Sequence, residues 1–146
     1  MAAAMEFHDS YLNAWGCDAE GNGFALIRAT IHRYEGEKFA ETNHESGWQE
    51  LRFSFKGMTF EGEVDFAEDT WIQDGSITIS GKKDDDGLIY LPAEHIGDIQ
   101  IQMDVSPTFD TVTIRASELK TEFLNEFEHE RFWNEAGNPL PYSGAE

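Results

Sequence analysis

The sequence predicts an all-β fold, an antiparallel β-sandwich or barrel of about eight or nine strands, and three observations carry that expectation. Apolar and polar residues alternate with period two through several consecutive segments, as they do in strands with one face inside and one in water. Clusters of Gly, Asn, Asp and Pro separate those segments at short spacing, the punctuation of strands joined by tight connections. The chain also carries 11 Phe, 4 Trp and 4 Tyr, and each buried aromatic removes roughly 150–250 Å² from water. A small core rich in aromatic rings follows.

Taken in order, residues 5–15 read as extended, and residues 17–23 (Cys-Asp-Ala-Glu-Gly-Asn-Gly) form a loop of residues that tolerate positive φ or bond their own backbone. Residues 24–34 are rich in β-branched and aromatic side chains, and residues 35–46 make a polar loop. Leu51, Phe53 and Phe55 share one face of a strand. Lys56-Gly57 then suits a tight hairpin turn, with Met58, Phe60, Gly62, Val64 and Phe66 on the inner face of the return strand. Trp71-Ile72 leads to an Asp74-Gly75 turn, after which Ile77 and Ile79 resume the pattern; residues 82–87 turn again, and residues 88–91 stop at Pro92. Ile99, Ile101, Met103 and Val105, then Val112, Ile114 and Ala116, complete the alternation. The expected core includes Phe53, Phe55, Phe60, Val64, Ile77, Ile79, Ile101 and Ile114.

Residues 117–133 fit two periods, because Leu119, Phe123 and Phe127 would share one face of a helix and also fall on one face of a strand. On a helix Glu118, Glu122, Glu126 and Glu130 would stack at i, i+4, each like-charge contact costing about 0.2–0.5 kcal/mol. A strand or hairpin turning near Asn125 avoids that stack and is favoured, leaving room for one short C-terminal helix at most. The 146 residues suit a single β domain over residues 5–135, with 1–4 and 136–146 as flexible termini.

The series Phe7-His8-Asp9-Ser10, Ile31-His32-Arg33, Gly47-Trp48-Gln49, Asp74-Gly75, Leu91-Pro92 and Ile96-Gly97 resembles a family of small bacterial all-β proteins with no assigned activity. The similarity spans about residues 6–133 and includes a final strand near an acidic-aromatic stretch, here residues 128–133. The chain departs from the family in having fewer Pro and Gly after Glu35-Gly36. The resemblance implies the β fold and no particular chemistry.

Charge dominates the functional reading: 29 Asp and Glu against 10 Lys and Arg give a net charge of −19. Direct nucleic-acid binding is excluded as an expectation, because phosphate contacts need clustered Lys and Arg. No run approaches the roughly 18 apolar residues of a membrane span, and residues 1–7 lack a basic start and an apolar stretch suited to secretion. A cytoplasmic protein with no membrane contact is expected. The lone Cys17 agrees with a reducing compartment.

No constellation of catalytic residues emerges. His8-Asp9 could pair as carboxylate and imidazole, but adjacent strand residues point to opposite faces. The five histidines show no HxH or HExxH spacing, so no metal site is expected. Asp84-Asp85-Asp86-Gly87 lacks the alternating oxygen ligands and distal Glu of a calcium loop. Glu61, Glu63 and Asp65 could be spaced as paired glycosidase carboxylates, but an outer strand face offers no cleft. No serine lies in a GxSxG elbow, an acidic loop would raise the Cys17 pKa, and Gly21-Asn22-Gly23 precedes a strand and no helix. The expectation is a non-enzyme without cofactor.

An acidic surface steers a protein toward cationic partners. The leading reading is an acidic binding protein, an immunity-type inhibitor that occludes a basic toxin or nucleic-acid-acting protein. Its partner-binding residues would be Glu61, Glu63, Asp65, Asp84, Asp85, Asp86, Glu126, Glu128 and Glu130, with Trp133 an exposed aromatic anchor. Trp15 is the second ring expected at the surface. The alternatives are a β-barrel that binds a small ligand in an interior lined by Phe, Met and Trp, and a structural domain whose charge serves only solubility.

Overall fold

Period-two alternation resolves into ten antiparallel strands of one sheet in a computed structural model that describes residues 2–37, 39–40, 42–66, 70–84 and 86–137. The strands are β1 (Ala2–Cys17), β2 (Gly23–Tyr34), β3 (His44–Lys56), β4 (Thr59–Glu61), β5 (Ile72–Ile79), β6 (Lys82–Asp84), β7 (Leu88–Leu91), β8 (Glu94–Val105), β9 (Asp110–Phe123) and β10 (Glu128–Trp133). Their order is β6-β5-β8-β9-β3-β2-β1-β7, with β4 on β9 and β10 on β3. The sheet curls until β1 approaches the start of β5, where an isolated bridge joins Tyr11 to Trp71 and Leu12 N–H donates to the Thr70 carbonyl at 2.9 Å. It stops short of a closed barrel, and its concave side holds the core: Phe7, Leu12, Ile27, Ile31, Leu51, Phe53, Ile72, Ile99, Ile101, Met103 and Ile114 are all buried. No helix occurs among the described residues. The stretch 117–133 is the end of β9, a connection at 124–127, and β10; both strands run antiparallel along β3, from Phe123 opposite Leu51 to Glu128 opposite Trp48, so the strand reading stands, the chain does not reverse near Asn125, and the optional C-terminal helix does not form.

Several expectations are corrected. Ala2 to Ala4, expected to be a loose terminus, open β1 and pair with Tyr34, Arg33 and His32; Ala4 is buried. Lys56-Gly57 is not a hairpin turn. The pairing Lys56 to Glu118 continues unshifted as Thr59 to Arg115, so β3 and β4 are one line along β9, interrupted at Gly57 (φ 63°). That interruption breaks the alternation: Met58 is buried, its N–H bonded to the Gly21 carbonyl at 2.9 Å, whereas Phe60 is 40% exposed. Val64 and Ile79 are half-buried against the core, and Phe53, Phe55, Ile77, Ile101 and Ile114 are buried as expected. Asp74-Gly75 lies inside β5 and makes no reversal. A Cβ on Gly75 would come within 2.5 Å of the Phe7 ring, so this glycine exists to let Phe7 seat on the backbone of β5.

Phe7 belongs to a bulge whose construction is legible atom by atom. Glu6 pairs with Thr30 and Tyr11 with Arg28, so extra residues of β1 are looped out between them. Phe7 turns inward and its N–H donates to the Gly87 carbonyl at 3.1 Å. Ser10 is fully buried and patches the ladder: Thr30 N–H donates to Ser10 Oγ at 2.9 Å, and the hydroxyl donates to the Glu6 carbonyl at 2.6 Å. Asp9 takes φ 65°, a region that Asp tolerates better than most residues, and this reverses the expected divergence of His8 and Asp9.

Candidate functional site

With Asp9 in the left-handed region, His8 and Asp9 point the same way and their side chains stand 3.5 Å apart, both about half exposed. His8 Nδ1 donates to the Gln73 carbonyl at 2.6 Å, and Trp71 Nε1 donates to Asp9 Oδ1 at 2.9 Å. The Gln73 carbonyl, and then the Asp9 charge, hold the His8 pKa above its ordinary value. Both ring nitrogens face acceptors, an arrangement that favours the protonated ring and pins the bulge to β5. Among the described residues, no group of three or more His, Cys, Asp or Glu could hold a metal ion.

The acidic stretches singled out in the sequence lie apart and differ in what occupies them. Glu128 and Glu130 are on the outer side of β10, and Glu126 is exposed in the preceding connection. Glu128 stands 3.4 Å from Arg28, and Glu130 accepts from Trp48 Nε1 at 2.8 Å and lies 3.3 Å from Arg131. These two carboxylates are engaged by their own chain. Asp84 is half-buried and Asp86 exposed, while Asp85 lies outside the described residues. Burial, and then the neighbouring Asp84, push the Asp86 carboxyl above its ordinary pKa. Trp133 is half-buried and not a free anchor. Its indole stacks on His44 at 5.4 Å and donates to Ser46 Oγ at 3.0 Å.

The remaining stretch has a different setting. Glu61, Glu63 and Asp65 are exposed, and Glu61 pairs with Arg115 at 2.6 Å. Beside them Phe60 stacks on Trp15 with ring centroids 4.7 Å apart, and Phe66 meets the same indole edge-on at 6.4 Å. Phe60 and Phe66 are 40% and 39% exposed, and Trp15 packs partly against the core. Local chemistry explains the patch: Gly62 takes φ 103°, a Cβ there would fall 2.8 Å from Val112 Cγ1, and the residues after it leave the sheet. Carboxylates and rings are then exposed together. Sequence reading found these carboxylates and Trp15 but placed Phe60 in the core, because it read Met58 to Phe66 as one regular return strand, whereas Met58 is buried and Phe60 exposed.

A second concavity, which sequence reading missed, lies at the other end of β1. Glu6, His32, Phe39, Tyr90 and Trp133 meet there with Asp86 in an open cleft of about 470 Å³. His32 Nε2 is 2.7 Å from Glu6 Oε1, and that hydrogen bond holds the Glu6 carboxyl below its ordinary pKa. Burial, and then Asp86, push the Tyr90 phenol up; burial, and then Tyr90, do the same to Tyr34. Perturbed groups thus gather around one cleft, a common property of binding sites. No spacing could have revealed it, since its residues come from β1, β2, β7, β10 and two connections.

No family model, curated protein or solved structure matches this chain. Among the described residues no helix is long and apolar enough to cross a membrane.

Proposed function

We propose that the chain is an acidic binding protein of the cytoplasm that occludes a basic protein, in the manner of an immunity-type inhibitor of a toxin or of a nucleic-acid-acting protein. The observation that carries this reading is the patch of Trp15, Phe60 and Phe66 rimmed by Glu61, Glu63 and Asp65. Aromatic side chains in a desolvated centre supply most of the binding energy of an interface, and surrounding charges steer the encounter and fix the register. With −19 on the whole chain, the complementary surface is cationic, so Lys and Arg of the partner meet the three carboxylates while its apolar centre covers the two phenylalanines. Occlusion of this kind is steric and needs no catalytic group, metal or cofactor, and neither nucleic acid nor membrane takes part directly. The carboxylates at 84–86 and 126–130 add to the long-range field.

Capture from a lysate of the producing cell, with the wild-type chain and a Phe60→Ser/Phe66→Ser variant side by side, tests the reading. Both rings are partly solvent-exposed, so the variant should keep its fold, as a thermal melt will show. The expected result is a protein of basic isoelectric point held by the wild type, lost with the variant, and inhibited in its own activity by the wild-type chain. A captured set that is unchanged by the double substitution, or that contains no basic protein, overturns the proposal.

A further inference from the structure

The cleft at the other end of β1 carries its own ligand chemistry. His32 is 7% exposed, and the ionised Glu6 carboxylate can only accept a hydrogen bond, so His32 Nε2 carries the proton between them. In the neutral ring the Nδ1 lone pair is then an acceptor. It is buried and has no hydrogen-bond partner among the described residues, although buried polar atoms are nearly always paired. With the ring neutral, the group that completes it is a donor.

Charge and rings narrow the donor further. Glu6 and Asp86 both line the cleft, so an anionic ligand would be repelled and an uncharged apolar one would leave two carboxylates desolvated. Phe39 lies 4.7 Å from the His32 ring, and Tyr90 and Trp133 supply two more aromatic walls; such faces attract a cation within about 6 Å. The volume of about 470 Å³ falls in the range of roughly 300–1,000 Å³ typical of small-ligand sites. We propose that this cleft binds an organic cation, a guanidinium or ammonium on an alkyl chain, whose N–H groups donate to His32 Nδ1 and to the carboxylates while its stem lies among Phe39, Tyr90 and Trp133. Glu6 lies opposite Thr30 and Trp15 opposite Ala25, five residues apart on β2 or roughly 15–17 Å in strand rise, and the site does not depend on the docking patch.

The same cation could arrive as a free small molecule or as an Arg or Lys side chain of another protein. Titration of the full chain with butylguanidinium, with its neutral isostere butylurea, and with the capped peptide acetyl-Gly-Arg-Gly-amide tests the inference. The readouts are the Trp133 indole and His32 ring resonances together with calorimetry. Butylguanidinium should bind at least about tenfold more tightly than butylurea, and Asp86→Asn should weaken it about tenfold with the melting temperature unchanged. Glu6→Gln, which removes the second carboxylate, serves as an independent variant. Peptide affinity about tenfold above that of butylguanidinium assigns the cation to a protein side chain; equal or lower affinity assigns it to a free small molecule. Equal binding of butylurea, no perturbation of either residue by any of the three probes, or an affinity indifferent to both Asp86→Asn and Glu6→Gln overturns the inference.

Discussion

The two ends of β1 present the same residue types in opposite states. At its start, Glu6 is tied to His32 and the neighbouring rings of Phe39, His44 and Trp133 pack on one another. At its finish, Trp15 holds Phe60 and Phe66 against solvent beside Glu61, Glu63 and Asp65. Carboxylate plus aromatic therefore does not define a site by composition. Enclosure decides: the first arrangement makes a small concave pocket with buried polar atoms, and the second makes an open surface suited to another protein.

That contrast has a stability signature, and the largest effect should come from making the same substitution at the two ends. Phe7 is fully buried on the backbone of Gly75, so Phe7→Ala should cost about 3–5 kcal/mol in a denaturant melt. Phe60→Ala, at an exposed ring that loses one stacking partner, should cost about 1 kcal/mol. Comparable losses would erase the distinction.

Trp133→Ala comes next. A half-buried indole with a hydrogen bond to Ser46 and a stack on His44 should cost about 2–3 kcal/mol, below the loss for a fully buried ring. It should leave the docking rate of a basic partner unchanged. A stable variant with faster dissociation from that partner would instead return Trp133 to the anchor role that the sequence suggested.

A smaller effect separates the ends by pH. The His32 hydrogen bond depresses the folded-state pKa of Glu6 below 4.5. Its contribution is therefore fully present above the unfolded value and is lost as pH falls through the folded one. The stability difference between wild type and Glu6→Gln should be largest above pH 4.5 and shrink below it, as melts across an acid series will show. Glu61→Gln should show the least. Its pair with Arg115 is exposed, so the change should be under about 0.5 kcal/mol in the same melts.

Strand identity was legible because alternation reports which face is buried. Ile99, Ile101, Met103 and Val105 of β8 are all buried, as their pattern required. Direction was less legible. Gly57 announces positive φ, and the same local signal serves a hairpin or an interrupted strand; only pairing with β9, some 60 residues away, distinguishes them. His8-Asp9 misled for a related reason, since the alternation rule assumes regular φ and Asp9 leaves it. The Asp74-Gly75 pair looked like a turn because nothing local reveals Phe7 pressing on that glycine. The acidic stretches were readable as charge, but which carboxylates are engaged by the chain's own Arg28, Trp48 and Arg131 was not.

The most direct test of the central claim, that the open end docks a cationic protein, is the association rate with the captured basic partner over a range of salt. Wild type should be compared with Glu61→Gln/Glu63→Gln/Asp65→Asn, and neutralising equivalent carboxylates at Glu126, Glu128 and Glu130 provides the control. Removing the patch charges should slow association several-fold at low salt and flatten its salt dependence, with dissociation nearly unchanged and a smaller effect from the control. Identical rates and salt slopes for the wild type and the patch variant would contradict the account and leave the acidity as solvation alone.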